Sequence, residues 1–411
     1  MTTPAPTTAE ALRFPDDFRW GAATAAHQIE GNNVNNDWWA REHTPGSGIA
    51  EPSGDACDSY HRYREDMALL AAAGLDTYRF SLEWSRIEPE PGFVSRAEID
   101  HYRRMVAACH EFGLTPMVTL LHFTVPRWFA DRGGWRHAEA VDSFGRFTDI
   151  ALPILDDGVE WVCTINEPNI MSMIHGHRET DLIASGLPAP DEAVSEVLAR
   201  AHTRSREVLG AMPAIKSGWT VATQAFMPEP GAERQTEAYG YPREHYFLEA
   251  ARGDDWVGVQ AYTRTIMGPD GPRPIRDGAE TTLTGWEYYP PALGIGVRNA
   301  WQRTGGVPVF VTENGIATRD DARRIDYTHG ALAGLHDAMT DGVQALGYLH
   351  WSALDNYEWG SYKPTFGLIS WDKQTFARTP KPSLGWLGAV ARANTLPARP
   401  HDLMALGAVG S

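Results

Sequence analysis

The chain has 411 residues, of which 43% are hydrophobic and 22% are charged, a composition that is ordinary for a globular protein with a sizeable core. Its 53 acidic and 36 basic residues give a formal charge of −17. This charge argues against nucleic acids and anionic membranes as partners, and it favours neutral or cationic ligands.

The cysteines and the start of the chain predict a compartment. Cys57, Cys109 and Cys163 are odd in number and have no CxxC spacing, so we expect buried free thiols. Met1 to Leu12 is rich in Thr, Pro and Ala and lacks the apolar core of a secretory signal. No run of about 18 apolar residues predicts a membrane span. We therefore predict a cytoplasmic protein with no membrane partner.

Short apolar, β-branched or aromatic runs that end in turn residues predict eight strands along the chain. The predicted strands are Arg19–Ala23, Thr77–Leu82, Leu114–Leu121, Glu160–Ile165, Ile215–Val221, Trp256–Ala261, Val307–Thr312 and Ala345–Trp351. Apolar residues at helical spacing predict a helix in each interval, and one more after the last strand. The predicted helices are Asp58–Gly74, Arg96–Phe112, Ala138–Leu155, Pro190–Leu209, Tyr241–Ala251, Leu293–Arg303, Arg324–Asp341 and Ser383–Arg392.

This alternation predicts the fold class. Strands that alternate with helices pair in parallel through right-handed crossovers. Eight repeats fit an α/β single-domain (β/α)8 TIM barrel better than an open doubly wound sheet, and no strand is followed by a Gly-rich dinucleotide or phosphate loop. We predict a barrel domain over residues 13–395, between a disordered N-terminal tail of residues 1–12 and a C-terminal tail of residues 396–411.

Two predicted strands end in a glutamate. Val307–Gly315 is an apolar run that reaches Glu313 just before an Asn-Gly turn, and Thr164–Pro168 brings Glu167 to the end of an earlier strand. A single such acid is most simply a turn or helix-cap residue. In a parallel barrel, however, the C-terminal ends of strands 4 and 7 face each other across the mouth where chemistry is done.

The other strand ends carry amides, an arginine and aromatic rings. The polar or aromatic residues there are Gln28, Arg79, Glu83, His122, Asn166, Gln260, Tyr262, Trp351, Glu358 and Trp359. Glycoside hydrolysis needs an acid that protonates the leaving oxygen, a carboxylate that attacks or activates water, and groups that bind hydroxyls. The 15 tryptophans add modest support, since indole faces pack on sugars but also fill cores.

Several of these residues have structural interpretations. Arg79 and Glu83 can form a structural ion pair at the barrel mouth, and for Glu83 we prefer that interpretation. His175, His177 and His202 have no carboxylate or cysteine partner at ligand spacing, so we predict no metal site and no cofactor.

From Phe14 to Trp386 the chain resembles glycoside hydrolase family 1, the β-glucosidase-type (β/α)8 enzymes. The matching segments are Phe14–Gly31, Tyr78–Arg86, Thr119–His122, Thr164–Pro168, Val311–Gly315 and Trp351–Trp359. The Asn-Glu-Pro and Thr-Glu-Asn-Gly motifs, in this order and at this spacing, are a highly specific combination, whereas either motif alone is weak.

The resemblance implies a retaining double displacement, in which Glu167 is the general acid/base and Glu313 is the nucleophile. A cation and a hydroxyl donor, Arg79 and Tyr262, would keep Glu313 ionised. An ionised Glu313 would in turn favour the protonated form of Glu167.

The resemblance also implies the sugar contacts. Asn166 would bind the 2-hydroxyl, and Trp351 would be the platform for the ring. The remaining hydroxyl contacts would come from Gln28, His122, Glu358 and Trp359, with Tyr262 also at the sugar.

Four positions depart from the family pattern or test it. Phe123 stands where the family has a tryptophan, so it keeps a packing face but lacks the indole N–H that would contact one sugar hydroxyl. Gln260 replaces an asparagine two residues before Tyr262, so its geometry near Glu313 is open. Glu358 would repel a phosphate, which favours an unphosphorylated sugar, although Lys363 lies in the loop that binds phosphate in phospho-sugar relatives.

We therefore predict hydrolysis of terminal β-D-glycosides, with β-glucoside first and β-galactoside or β-fucoside next. Trimmed loops after strands 4 and 8 predict an open aglycone side. Two alternatives are a transglycosylase that uses the same carboxylates and a sugar-binding barrel without hydrolysis. A homo-oligomer is compatible with the sequence, which does not decide the oligomeric state.

Overall fold

The computed structural model of the chain describes residues 11–176 and 188–402, apart from the side chains of residues 175 and 176. Residues 1–10 of the predicted N-terminal tail and residues 403–411 of the C-terminal tail lie outside the described residues. Among the described residues, no helix is both long and apolar enough to cross a membrane.

Eight strands of the described residues close into one barrel, in which each strand pairs in parallel with its neighbours along the chain and the last pairs with the first. The predicted fold class is confirmed. The barrel strands are β1 (Arg19–Ala23), β2 (Thr77–Ser81), β3 (Thr115–Leu121), β4 (Trp161–Asn166), β5 (Lys216–Thr223), β6 (Val257–Ala261), β7 (Val309–Asn314) and β8 (Ala345–Trp351).

Helices cover the barrel and also form parts of its loops. Those before β5 are α1 (Ala26–Ile29), α2 (Asp37–Glu42), α3 (Ser59–Ala73), α4 (Trp84–Ile87), α5 (Arg96–Glu111), α6 (Arg127–Asp131), α7 (Ala140–Leu155), α8 (Pro168–Gly176) and α9 (Glu192–Leu209). Those after β5 are α10 (Glu233–Gly240), α11 (Tyr246–Ala250), α12 (Ala292–Thr304), α13 (Asp321–Thr340) and α14 (Pro382–Ala393).

The predicted helix Tyr241–Ala251 covers only part of the helical segment that the structure shows there. The helical segment between β5 and β6 begins at Glu233, and Tyr241–His245 forms a π-helical turn between α10 and α11. Most side chains of α10 are exposed, so this helix lacks the apolar periodicity from which the others were predicted.

The two ends of the fold meet outside the barrel. Leu12–Arg13 pairs antiparallel with Thr395–Leu396, and the Trp386 indole donates to the Pro400 carbonyl. Leu12 and the first residues after 395 are therefore part of the packed structure, although the sequence placed them in the tails.

The lower half of the barrel interior is apolar. Met117, Trp161, Phe310 and Leu349 point inward, because alternate side chains of a strand lie on opposite faces of the sheet, and they form a cluster separate from the core between strands and helices. Trp161 packs against Phe310 with ring centroids 5.6 Å apart. Trp161 is thus a core residue of the barrel interior, and this apolar cluster leaves the polar site at the upper end of the strands.

All three cysteines lie within the described residues. They are buried free thiols, as the sequence predicted. Burial raises the pKa of each thiol, which keeps the side chains protonated.

Candidate active site

Glu313 is held from two sides at the end of β7. One carboxylate oxygen, Oε1, accepts a hydrogen bond of 2.7 Å from Nη1 of Arg79, and Oε2 accepts one of 2.6 Å from the Tyr262 hydroxyl. Glu313 is only 4% exposed and Arg79 is fully buried. Burial raises the pKa of Glu313, but Arg79 and Tyr262 both oppose this rise because they stabilise the carboxylate.

A close approach of two strand ends explains the glycine after this glutamate. A Cβ atom on Gly315 would lie 2.0 Å from the Trp351 carbonyl oxygen, so no larger residue fits there without moving the backbone. The Asn-Gly turn thus brings the end of β7 against the end of β8.

Asn166, the last residue of β4, has a fixed amide orientation. Its Oδ1 accepts hydrogen bonds from Arg79 Nη2, from Gln260 Nε2 at 2.9 Å and from the Thr220 hydroxyl at 3.1 Å. Its Nδ2 therefore faces Nε2 of His122, 3.2 Å away. Gln260, whose geometry the sequence left open, thus helps to orient Asn166.

Glu167 follows Asn166 and has different surroundings. Its backbone has a φ of +45°, and its N–H donates to the Thr220 carbonyl at 2.9 Å. Its N–H is also 3.3 Å from the Thr220 hydroxyl, but no hydrogen bond from a described residue reaches its carboxylate. Burial, followed by the charge of Glu313, raises the pKa of Glu167 well above its usual value, and Arg79 opposes this only in part.

Aromatic rings line the site near β8. Trp351 and Trp359 both lie nearly parallel to the His122 ring, with centroids 5.8 and 6.1 Å away. Phe123, with a φ of +68°, packs edge-on against both His122 and Trp359. Burial and then Arg79 lower the pKa of His122 well below its usual value, so its imidazole is neutral.

The loop after β8 brings a third carboxyl group to the site. Glu358 Oε1 accepts a hydrogen bond of 3.2 Å from the Trp351 indole N–H. Burial raises the pKa of Glu358 to about 8; the Trp351 donor opposes the shift and the charge of Glu313 adds to it. This group is therefore mostly protonated at neutral pH in the unliganded protein.

Gln28 connects α1 to that loop. Its Nε2 donates to Asn356 Oδ1 at 3.0 Å and to the Tyr357 carbonyl at 2.9 Å. Its Oε1 is buried and has no hydrogen-bond partner among the described residues. Hydrogen bonds and ring contacts thus join the predicted site residues in three groups. The first group is Arg79, Asn166, Glu313, Tyr262 and His122, and the second is His122, Trp351, Trp359 and Glu358. The third is Gln28 with the loop that carries Glu358 and Trp359.

The proposed ion pair between Arg79 and Glu83 is wrong. The guanidinium of Arg79 pairs with Glu313, and its Nε donates to Thr119 at 3.0 Å. Glu83 caps the N-terminus of α4 and accepts hydrogen bonds from Ser85 Oγ at 2.6 Å and Thr124 Oγ1 at 2.9 Å. The reason is geometric: β2 ends at Ser81, so the chain has turned away from the barrel axis before Glu83.

The sequence analysis also missed a histidine partner. His202 pairs with Asp254 at 3.0 Å, and its Nδ1 lies 2.7 Å from the Thr164 hydroxyl. Asp254 lies 52 residues further along the chain, beyond any local ligand spacing. In the part of the chain that is described, three or more His, Cys, Asp or Glu residues nowhere form a group that could hold a metal. The His175 side chain and His177 lie outside the described residues.

Three further residues of the site were not predicted from the sequence. Thr119 and Thr220 orient Arg79 and Asn166 through their hydroxyls. Trp286 is 40% exposed and its ring lies 5.5 Å from the ring of Tyr262. A tryptophan in a loop rich in Gly, Pro and charged residues was the signal for a ring at the mouth.

A family model for glycosyl hydrolase family 1 matches residues 10–236 and 255–396. Two curated relatives match over nearly their whole length. Beta-glucosidase A of Thermotoga maritima is 30% identical over 93% of this chain and 99% of that protein. Thermostable beta-glucosidase B of Thermobispora bispora is 32% identical, with 94% of this chain and 92% of the relative covered.

Solved structures agree with this match. The crystal structure of the beta-glycosidase BGL167 is 44% identical with a TM-score of 0.85, covering 92% of this chain and 97% of that one. The beta-glucosidase from Thermotoga maritima in complex with deoxynojirimycin is 28% identical with a TM-score of 0.85, covering 93% and 99%. With the barrel, the paired glutamates and these matches together, the chain belongs to glycosyl hydrolase family 1 and is a glycoside hydrolase.

Proposed function

We propose that the chain is a retaining β-glycosidase in which Glu313 is the nucleophile and Glu167 is the general acid/base. The observation that carries this assignment is the contrast between the two carboxylates. The carboxylate of Glu313 receives two hydrogen bonds, one of them from a buried guanidinium, whereas the carboxylate of Glu167 receives none from the described residues and has a strongly raised pKa. A nucleophile must be ionised and a general acid must be protonated, and these surroundings favour that division.

In the first step, a Glu313 oxygen attacks the anomeric carbon while the bond to the aglycone oxygen breaks. Glu167 gives its proton to that oxygen, so the aglycone leaves as a neutral alcohol. The product is a covalent glycosyl ester of Glu313. Arg79 and Tyr262 hold the attacking carboxylate in place, which favours this step because little reorganisation is needed.

In the second step, the ionised Glu167 accepts a proton from water, whose oxygen attacks the anomeric carbon. The ester bond to Glu313 breaks, and the sugar leaves with its original anomeric configuration. Esterification of Glu313 removes the charge that raised the pKa of Glu167, so Glu167 becomes a better base when it is needed as one.

The sugar subsite is formed by the groups around these glutamates. Nδ2 of Asn166 is the donor for the 2-hydroxyl, and the Trp351 ring is the platform. The other hydroxyl contacts come from Gln28, His122, Tyr262, Glu358 and Trp359. Unpaired polar atoms on Gln28 and His122 support this role, since a buried polar atom without a partner is costly unless a ligand satisfies it.

The sugar bound there is unphosphorylated. Glu358 accepts a hydrogen bond from the Trp351 indole N–H, and neither the protonated nor the ionised form of its carboxyl group supplies the positive charge that would hold a phosphate. Lys363 is exposed. β-Glucoside is the first choice because the similar proteins from Thermotoga maritima and Thermobispora bispora are named beta-glucosidases, with β-galactoside and β-fucoside next.

The aglycone side is open and has an aromatic wall. Trp286, at the mouth beside Tyr262 and Phe366, offers an exposed ring face to the group that leaves. Part of the trimmed loop after β4, residues 177–187, lies outside the described residues. A crystal structure with a closed, narrow entrance would contradict the open side.

The test is hydrolysis of p-nitrophenyl β-D-glucoside, galactoside, fucoside and mannoside. NMR then identifies which anomer of the released sugar forms first. We expect the glucoside to have the highest kcat/KM and the first product to be the β-anomer. The Glu313→Ala variant is the inactive control. An α-anomer as first product would contradict retention, and an inert but folded wild type would contradict the proposed function.

A transglycosylase uses the same intermediate, with an alcohol in place of water. Adding methanol to the same assay measures the partition, and predominance of methyl glycoside at low methanol would favour transfer over hydrolysis. The sugar-binding barrel is not favoured, because the chain is a member of a hydrolase family and has both glutamates.

Three buried free thiols support a cytoplasmic location for the protein. Recovery of the activity only from extracellular fractions would contradict this location.

A further inference from the structure

Trp359 has a backbone conformation that its neighbours must hold. Its φ is +48°, which a residue with a large side chain adopts only when the surroundings stabilise it. Four aromatic rings contact its indole: His122 and Phe123 on the sugar side, and His27 and Trp38 from the loop after β1. His27 and Trp38, the two supports from the connection after β1, have no part in the chemistry described above.

His27 is the most constrained of these supports. It is 1% exposed, and its ring is nearly parallel to that of Trp359, with an interplanar angle of 15° and centroids 5.8 Å apart. It also contacts the Tyr357 ring edge-on, with an interplanar angle of 72°. His27 therefore contacts the loop that carries Glu358 and Trp359 at two points.

Both nitrogens of the His27 ring are used by the two ends of α2. Asn36 Oδ1 accepts from the Trp39 backbone N–H, so Asn36 Nδ2 is the donor to His27 Nδ1 at 2.9 Å. His27 Nε2 must then carry the proton and donate to Glu42 Oε1 at 2.9 Å. The other oxygen of Glu42 accepts from the backbone N–H and hydroxyl of Ser53 at 2.9 and 2.8 Å.

These bonds set the rotation of the imidazole about its own axis. A histidine whose two nitrogens have different, fixed partners cannot flip without losing both, and here the partners are buried. The plane that His27 presents to Trp359 is thus set by α2 and by Ser53. Trp38, on the same helix, meets the Trp359 indole edge-on at 5.0 Å.

We propose that His27 is a positioning residue that holds the Trp359 indole in its sugar-binding orientation through a ring plane fixed by Asn36 and Glu42. The inference rests on the proposed function, because it assumes that Trp359 touches the sugar. It assigns to the buried His27–Glu42 pair a role in substrate affinity. The supports come from the two short helices after the first barrel strand and act on the loop after the last one.

The experiment is a double-mutant cycle on p-nitrophenyl β-glucoside with His27→Ala, Trp359→Ala and the double variant. Contacts of Trp359 with the sugar exist before and during reaction, so we expect His27→Ala to raise KM about tenfold and to change kcat less than about threefold. If His27 acts through Trp359, the double variant has the KM of Trp359→Ala alone. Independent effects that multiply would overturn the proposal.

Two further variants separate the ring from its hydrogen bond to Glu42, and they carry the test if His27→Ala does not fold. His27→Phe with Glu42→Gln keeps a flat ring without leaving an unpaired buried charge, but it loses the two bonds that fix the ring plane, so we expect a KM between those of wild type and His27→Ala. His27→Gln keeps a donor for Glu42 but no ring, and we expect its KM to rise as in His27→Ala. The reverse order would show that only the hydrogen bond to Glu42 matters, and would overturn the proposal.

His101→Ala is the matched control. His101 is also buried and parallel to an aromatic ring, that of Tyr60 at 3.9 Å, but it lies on α5 away from the site. Its KM should equal that of wild type, and a rise like that of His27→Ala would overturn the proposal. A wild type without glycosidase activity would contradict the proposed function itself. An active wild type with multiplicative effects of His27 and Trp359 would contradict only this inference.

Discussion

The ends of β4 and β7 carry the same side chain in opposite surroundings. Glu313 on β7 has a guanidinium and a phenol on its two oxygens, whereas the carboxylate of Glu167 after β4 accepts no hydrogen bond from the described residues. Burial raises the pKa of both groups, but only at Glu313 do hydrogen bonds to the carboxylate oppose it. Two identical residues thus acquire different chemistry from their neighbours.

The comparison also shows how one residue serves both ends. Arg79 donates to Glu313 and to Asn166, the residue just before Glu167. It is therefore close enough to stabilise the carboxylate on β7 and to orient the end of β4. The division of roles depends on this asymmetry, and the following changes test it.

Replacing Glu313 should have the largest effect. We expect Glu313→Ala to lower kcat/KM on the order of 10^5-fold, as loss of a covalent nucleophile does. Added azide enters the space left by the carboxylate and attacks the face opposite the leaving group. The expected product is an α-glycosyl azide, identified by NMR, and a β-glycosyl azide would contradict the role of Glu313 as nucleophile.

Replacing Glu167 should affect substrates according to their leaving group. For a methyl β-glucoside, Glu167→Ala should lower kcat/KM about 10²–10⁴-fold, while a dinitrophenyl β-glucoside loses less because its leaving group needs no proton. Azide should here give the β-glycosyl azide, since the ester on Glu313 still forms. Equal losses for both substrates would contradict the assignment of the acid.

The same variant should change the pH profile. In wild type, activity falls at low pH as Glu313 is protonated, and it falls at high pH as Glu167, whose pKa is raised, loses its proton. Glu167→Ala should therefore lose the alkaline limb of kcat/KM and keep the acidic one. Loss of the acidic limb instead would reverse the two roles.

Tyr262→Phe should give a smaller change. Removing the hydroxyl that donates to Glu313 makes its carboxylate less stable, so the pKa of Glu313 rises and the acidic limb moves to higher pH. We expect kcat/KM at neutral pH to fall about 10-fold or somewhat more, in line with loss of a hydrogen bond to a charged group. Tyr60→Phe, which removes a hydroxyl bonded to Glu98, is the control and should leave the limb in place.

Glu358→Gln should have the smallest effect of these changes, and the effect should be on the thermal stability of the protein. In the folded protein Glu358 has a pKa of about 8, above the ordinary 4.5, so between these values the folded state binds the extra proton and stability falls as pH rises. The variant does not titrate, so its apparent unfolding temperature should exceed that of wild type by a few degrees at pH 8 and by less at pH 5. The same difference at both pH values would contradict the raised pKa.

Much of the architecture was predictable because it is encoded locally. The strands Arg19–Ala23 and Ala345–Trp351 were predicted with the bounds that the structure has, since apolar runs that end in turn residues mark buried parallel strands. Because parallel strands expose all their C-terminal ends on one side, the order of the strands was enough to place Glu167 and Glu313 at one mouth. The sequence by itself thus determined the fold class and the position of the two glutamates.

Tertiary structure alone decided which groups meet. Arg79 reaches Glu313 across 234 residues, and the alternative partner Glu83 lies only four positions away but faces another way. Likewise, Asp254 reaches His202 from another strand connection, and His27 reaches Trp359 from the opposite end of the chain. These contacts depend on barrel closure and on side-chain direction, which composition and spacing do not contain. The positions of the acids are therefore local information, whereas their protonation is a property of the closed barrel.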